Sequence, residues 1–250
     1  MRFAWPTIGE ELEMSHMQHP EHRPRHEAVL FDLDGVIVSS EVQKSETHVE
    51  TVVQLGGTPS KKLTELYTDV IGLSYEETRD RFLACGNIVP TPEVEEAYRG
   101  IYRTIYRSKL ENMKLAPGAR ELLTVLSSRR YRIGLVSSAH PEEVTTILRK
   151  NQVEHFFQAV VTADSVENHK PAPDPYWKAL ELLRLKETPN LAIAFEDTWT
   201  GIVAAKAAQL KVFAIRHRLN YKQNLTGAEK IFPSLEDNQI IPTIEAYLNH

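Results

Sequence analysis

Short apolar runs alternate with helical patterns along most of the chain. Such runs are typical of strands that are buried on both faces of a parallel sheet. Strands are predicted over Ala28–Phe31, Tyr131–Val136, Ala159–Thr162, Leu191–Phe195 and Val212–Ile215. Helices between the later strands predict right-handed βαβ units. The pattern therefore indicates an α/β fold with a Rossmann-like parallel sheet between two helical layers.

The helical patterns in the second half carry ordinary start signals. Pro141 suits a first helical turn, and Glu142 and Glu143 favour its positive end. Further helices are predicted over Ala172–Leu183 and Gly201–Leu210. The second of these is rich in alanine, so we expect it to pack closely against the sheet.

The stretch 39–116 interrupts the alternation because its pattern is almost entirely helical. Helices are predicted over Glu41–Leu55, Tyr75–Cys85 and Thr91–Leu110. The chain thus leaves the sheet just after its first strand and returns near residue 117. An insertion there would cover the carboxyl end of that strand as a lid. Such a lid excludes water and contributes to substrate selection. The alternative is a second domain docked elsewhere.

These patterns divide the chain into an α/β core of residues 27–38 and 117–250, a helical cap of residues 39–116, and a tail of residues 1–26. The tail contains four histidines whose spacing could line a metal-binding helix face: His16, His19, His22 and His26. Pro20 and Pro24 would break such a helix. The composition favours a disordered tail.

Composition narrows the functional classes. The 250 residues carry a net charge of -5, with 42% hydrophobic and 25% charged residues, as in ordinary globular proteins. The absence of a basic stripe gives no reason to expect nucleic acid, and the apolar runs are too short to span a membrane. The single cysteine, Cys85, favours a reducing, cytoplasmic location.

The first candidate functional residues lie at the end of the first predicted strand, in the run Phe-Asp-Leu-Asp-Gly. Asp32 and Asp34 are two residues apart, so both side chains can face one site. Ligands of open α/β sheets bind at this end of the strands. The pair suits a hard cation such as Mg²⁺ or a nucleophile with a general acid/base. A strand end followed by an Asp-Gly turn is the structural alternative.

Three further groups follow later strands. The hydroxyl of Ser137 and the backbone amides beside it can hold an anion before a helix. Lys170, followed by a rigid proline-rich stretch, can neutralise a phosphate or a nucleophile. Glu196 and Asp197 close the fourth apolar run. Each group alone also fits a helix cap or a solvated loop.

The order of these groups resembles the haloacid dehalogenase superfamily of phosphotransferases. The resemblance rests on Phe-Asp-Leu-Asp-Gly-Val, Lys-Pro-Ala-Pro-Asp and Glu-Asp-Thr-x-x-Gly, and it extends from Glu27 to Ile215. The helical insertion resembles the small cap of phosphoglycolate phosphatases and β-phosphoglucomutases. The resemblance implies an α/β core of that superfamily's type with an inserted helical cap.

The resemblance also implies a role for each catalytic residue. Asp32 would attack phosphorus and become an aspartyl phosphate. Asp34 would protonate the leaving oxygen and then activate water, and an aspartate at this position favours phosphate esters over other leaving groups. Ser137 would hydrogen-bond the transferring phosphoryl group, and Lys170 would balance charge between nucleophile and phosphate.

A magnesium ion is part of the same implied mechanism. Its ligands would be Asp32, the carbonyl of Asp34, Asp197, and Glu196 either directly or through water. An aspartate and a phosphate dianion repel one another. Mg²⁺ and Lys170 would therefore supply the compensating charge, which is usually the largest catalytic contribution.

Three more residues are expected to bind substrate: Ser138, Lys44 and Tyr75. Tyr75 lies where β-phosphoglucomutases carry an arginine that grips the distal phosphate. Lys44 lies where mutases and many sugar phosphatases carry histidine. Both differences argue against a mutase.

The leading hypothesis is Mg²⁺-dependent hydrolysis of a small phosphate monoester, such as a sugar phosphate, through an aspartyl phosphate. The alternative is a sugar phosphomutase of the β-phosphoglucomutase type. A third hypothesis is a non-catalytic binding protein with the same fold. The expected partner is a small phosphorylated metabolite rather than a nucleic acid or a membrane.

Overall fold

The computed structural model describes residues 27–248, and the prediction of an N-terminal tail lies outside them. Its centre is a six-stranded parallel sheet in the order β3-β2-β1-β4-β5-β6. The strands are β1 (Ala28–Phe31), β2 (Arg132–Val136), β3 (Ala159–Val161), β4 (Ala192–Glu196), β5 (Lys211–Ile215) and β6 (Lys230–Phe232). The predicted α/β class and Rossmann-like sheet are confirmed.

Strand β6 was not predicted from the sequence. It pairs with β5 at the edge of the sheet, and both Lys230 and Ile231 are exposed there. An edge strand with one buried residue lacks the apolar run by which a central strand is recognised.

The chain between β1 and β2 is helical, and we refer to this segment as the cap. Its helices are α1 (Glu41–Gln54), α2 (Lys61–Glu65), α3 (Tyr67–Val70), α4 (Tyr75–Cys85) and α5 (Pro92–Leu110). Buried side chains of all five helices form one hydrophobic cluster. The short helices α2 and α3 were not predicted because so few residues show no helical period.

The remaining helices cover the two faces of the sheet: α6 (Ala119–Ser128), α7 (Pro141–Lys150), α8 (Asp174–Leu182), α9 (Trp199–Ala207) and α10 (Ile240–Leu248). Successive residues of β1 alternate between the faces. Val29 and Phe31 belong to the cluster that includes α6, α7 and α10 residues, whereas Ala28 and Leu30 belong to the one that includes α8 and α9 residues. No described helix is long and apolar enough to cross a membrane. The cytoplasmic location stays a prediction.

The register of the central strands places the candidate residues at one edge. Phe31 of β1 lies opposite Leu135 of β2 and Phe195 of β4. The next residue of β1, Asp32, donates its backbone N–H to the carbonyl of Phe195 at 3.0 Å. The residues that follow each partner therefore emerge beside Asp32.

The two segments that join cap and core are hydrogen-bonded to each other. The backbone N–H of Ser39 donates to the carbonyl of Lys114 at 3.0 Å, and that of Ala116 donates to the carbonyl of Ile37 at 2.8 Å. The cap is thus anchored by a paired connection a few residues beyond Asp34.

The segment that returns to the core ends at Gly118, whose substitution tests how closely the backbone is packed there. Gly118 has φ of +80°, and a Cβ there would lie 2.5 Å from the backbone nitrogen of Glu236. We expect Gly118→Ala to lower the free energy of unfolding by at least about 2 kcal/mol, because left-handed strain and a backbone clash add. Urea unfolding measures this change.

Gly100, in the middle of α5, is the matched control. A Cβ there meets nothing within 4 Å. Gly100→Ala should raise stability by up to about 1 kcal/mol, since alanine is the better helix former. Equal stability of the two variants would contradict the assigned strain at Gly118.

Candidate active site

A buried ion pair between Asp32 and Lys170 lies at the carboxyl end of the sheet. The ammonium of Lys170 lies 2.5 Å from Asp32 Oδ1, 2.7 Å from Glu196 Oε1 and 2.9 Å from the carbonyl oxygen of Val136. Burial disfavours the charged lysine, but the two carboxylates outweigh it and raise the pKa of Lys170. The lysine therefore carries a positive charge that holds Asp32 in place.

Lys170 compensates the negative charge of Asp32 only in part. Burial raises its pKa to about 7 although Lys170 opposes the shift, and the nearby Glu196 and Asp34 raise the pKa further. The side chain of Asp32 is only 12% exposed. A further positive charge close by would favour the ionised form that can act as a nucleophile.

Three buried carboxyl groups form one cluster. Each of Asp32, Glu196 and Asp197 offers an oxygen, and these oxygens lie within 4.8 Å of one another. Burial first, and then neighbouring carboxylates, raise the pKa of Asp197 well above its ordinary value. Lys170 supplies one positive charge to this group of acids. The oxygen-only donor set and the excess negative charge fit a hard divalent cation.

Two glycines allow this close packing. A Cβ on Gly201, in the first turn of α9, would lie 2.0 Å from Glu196 Oε2. Gly35 has φ of +78°, and a Cβ there would lie 2.3 Å from Asp197 Oδ2. Only glycine lets the backbone approach these two acids so closely.

Lys44 reaches from the cap to Asp34 of the core. Its ammonium lies 2.9 Å from Asp34 Oδ2 and 3.5 Å from Glu41 Oε1. The hydroxyl of Ser40 donates to Asp34 Oδ1. Burial disfavours the charge of Lys44, but Asp34 and Glu41 outweigh it and raise its pKa. The second aspartate of the first motif is therefore held by a cation from the cap.

Ser137 and Ser138 lie at the end of β2 as expected, in different environments. Ser137 is buried, and its hydroxyl accepts a hydrogen bond from the backbone N–H of Ala139 at 3.1 Å. Ser138 is exposed. The buried hydroxyl keeps its own proton available for donation to an anion.

Tyr75 lies in the aromatic cluster of the cap. Its ring is edge-on to Tyr98 and Tyr102, with centroids 6.5 Å and 5.6 Å away. Burial raises its pKa to about 12. Its hydroxyl is buried without a hydrogen-bond partner among the described residues. The structure thus brings Lys44 to the carboxylates and places Tyr75 with the cap tyrosines; the expected substrate contact of Tyr75 stays a prediction.

Sequence reasoning missed His217, Tyr176 and Glu41. His217 Nε2 lies 2.9 Å from Asp197 Oδ2, and burial lowers its pKa to about 4, so the ring is neutral. Tyr176 donates its hydroxyl to Glu196 Oε1 at 2.5 Å. His217 follows the end of β5, so its position after an apolar run was an available signal. Tyr176 and Glu41 lie within helical patterns and carry no such signal.

Comparisons with known proteins found similar proteins over most of the chain. A family model described as haloacid dehalogenase-like hydrolase matches residues 29–215. A phosphorylated carbohydrates phosphatase of Thermotoga maritima is 30% identical over 200 residues, which cover 78% of this chain and 87% of that protein. Pyrophosphatase PpaX of Bacillus cereus is 27% identical over 218 residues, covering 86% and 95%.

A solved structure is similar along nearly its whole length. The β-phosphoglucomutase of Clostridium difficile superposes with a TM-score of 0.71 at 26% identity, covering 89% of this chain and 97% of that one. The family model spans well over half of the chain. The chain therefore belongs to the haloacid dehalogenase-like hydrolase family.

Proposed function

We propose that this protein is a Mg²⁺-dependent phosphatase that hydrolyses a small phosphorylated carbohydrate or similar metabolite through an aspartyl phosphate. The observation that carries the proposal is the pairing of Asp32 with Lys170 inside the carboxylate cluster. The relative from Thermotoga maritima, named for phosphorylated carbohydrates, supports the substrate class.

In the first half-reaction Asp32 attacks phosphorus, and the bond from phosphorus to the leaving oxygen breaks. Asp34 enters this step protonated and donates its proton to that oxygen, which leaves as an alcohol. The carboxylate that remains is the form that pairs with Lys44. Lys170 orients Asp32, and the hydroxyl of Ser137 donates to a phosphoryl oxygen. Charges fixed in advance in this way stabilise a transition state without later reorganisation.

In the second half-reaction Asp34 takes a proton from water, and the water oxygen attacks the aspartyl phosphate. The bond between phosphorus and Asp32 breaks, which releases inorganic phosphate and restores the enzyme. A Mg²⁺ ion held by Asp32, Asp197, Glu196 and the carbonyl of Asp34 would neutralise phosphoryl charge. Lys44 holds the carboxylate of Asp34 from the cap side.

A sugar phosphomutase is the second candidate, because a β-phosphoglucomutase is similar in structure. Mutase action requires a grip on a second phosphate. Tyr75 supplies no positive charge at the cap position where mutases carry arginine. Conversion of β-glucose 1-phosphate to glucose 6-phosphate without phosphate release would establish the mutase, and release of phosphate would establish the phosphatase.

The nucleophile is tested by Asp32→Asn. We expect turnover of a panel of phosphorylated sugars to fall by about 10⁴-fold or more, because the attacking charge is removed with little change of shape. The parent should form a phosphoprotein that hydroxylamine cleaves, and the variant should form none. Near-parent turnover by a folded Asp32→Asn protein would overturn the mechanism.

The metal is tested by removing and replacing it. Chelation with EDTA should abolish phosphate release, Mg²⁺ should restore it, and Ca²⁺ should restore it poorly. Ca²⁺ takes more ligands at longer distances than Mg²⁺ and disturbs the in-line geometry. EDTA presaturated with Mg²⁺ is the control. Full activity after thorough chelation would refute metal dependence.

The cap contact is tested by Lys44→Met. We expect kcat/KM to fall by about 10- to 100-fold, since one preorganised charge beside Asp34 is lost. Lys109→Met is the matched control, because Lys109 is buried to a similar extent as Lys44 but pairs with the exposed cap residues Glu46 and Glu50. The control should keep parent kinetics. Equal kinetics of the two variants would show that Lys44 does not contribute to catalysis.

A further inference from the structure

A loop of residues 216–223, which follows β5, holds the candidate metal ligand Asp197 at two points. The side chain of Asp197 contacts His217, whose Nε2 lies 2.9 Å from Oδ2. The backbone carbonyl of Asp197 accepts a hydrogen bond from Asn220 Nδ2 at 2.8 Å. One segment therefore fixes both the backbone and the carboxylate of this residue.

The proton position on His217 follows from its second contact. The backbone N–H of Leu219 donates to His217 Nδ1 at 3.3 Å, so Nδ1 is the acceptor. The neutral ring then carries its proton on Nε2 and donates it to Asp197. A neutral histidine in this arrangement orients the Asp197 carboxyl group through a hydrogen bond and adds no charge of its own.

The loop is itself held rigidly. Asn220 is fully buried, and its Oδ1 accepts the backbone N–H of His217 at 2.8 Å while Nδ2 also donates to the carbonyl of Ile215 at 2.9 Å. The guanidinium of Arg216 donates to the carbonyls of Asn220 and Gln223 at 2.5 Å and 3.2 Å. His217 is thus a fixed donor rather than a mobile side chain.

We propose that His217 is a positioning residue: through the hydrogen bond to Oδ2 it sets the orientation of Asp197 as a ligand for the divalent cation. The inference rests on the metal site of the proposed function. A carboxylate held at one oxygen cannot turn freely, so its other oxygen keeps one direction. Partners of this kind typically change metal affinity by 10- to 100-fold when they are removed.

The test compares three substitutions at this position. His217→Gln places an amide N–H near the position of Nε2, His217→Asn is one methylene too short to reach Asp197, and His217→Leu removes the donor. Tyr221→Ala is the control, since Tyr221 belongs to the same loop and is 60% exposed. Binding of Mn²⁺ is measured without substrate, from the electron paramagnetic resonance signal of the free ion.

We expect His217→Leu and His217→Asn to weaken Mn²⁺ binding by about 10- to 100-fold and to raise the Mg²⁺ concentration needed for half activity. His217→Gln should recover most of the affinity, and Tyr221→Ala should match the parent. Thermal unfolding identifies the folded variants. If His217→Leu does not fold, the difference in Mn²⁺ affinity between His217→Gln and His217→Asn tests the inference.

Three results would overturn the inference, and they are distinguishable. Parent-like Mn²⁺ affinity in folded His217→Asn or His217→Leu would refute the positioning role while leaving the proposed function intact. Absence of Mn²⁺ and Mg²⁺ binding in the parent would refute both the positioning role and the metal site. Equal weakening in the Gln and Asn variants would show that the donor at Nε2 is not what matters.

Discussion

The structure depends on the confinement of three carboxylates at the end of a parallel sheet with one lysine among them. An unpaired buried charge costs several kcal/mol, so Asp32, Glu196 and Asp197 require compensation wherever it can be supplied. Lys170 provides a charge, and Tyr176 and His217 provide hydrogen bonds. The remaining negative charge favours a bound cation at this edge.

The sheet creates that confinement through its register. Strands β1 and β4 run parallel as neighbours, so Asp32 and Glu196 emerge side by side, and β2 delivers Ser137 on the other flank. The backbone must then turn away in very little space. Gly35 and Gly201 allow this because a Cβ at either position would overlap a carboxylate.

The cap and the core are joined by contacts close to the candidate site. Lys44 contacts Asp34, while the loop that holds Asp197 also contacts the cap: Gln223 donates to the carbonyl of Ile71 at 2.8 Å, and Lys222 pairs with Asp69. The loop of residues 216–223 therefore contacts both Asp197 and the cap.

The sequence by itself determined the central strands, the helical interruption after β1 and the candidate residues at strand ends. It did so because burial on both faces demands a local apolar run, and because a strand end places its next residue at a known edge. Only the tertiary structure decided that β6 joins the sheet, that Lys44 pairs with Asp34, that Tyr75 packs among cap tyrosines and that His217 supports Asp197. Each of these depends on a contact between different elements of the fold, and no local pattern of hydrophobic and polar residues encodes which partner a side chain in another element will meet.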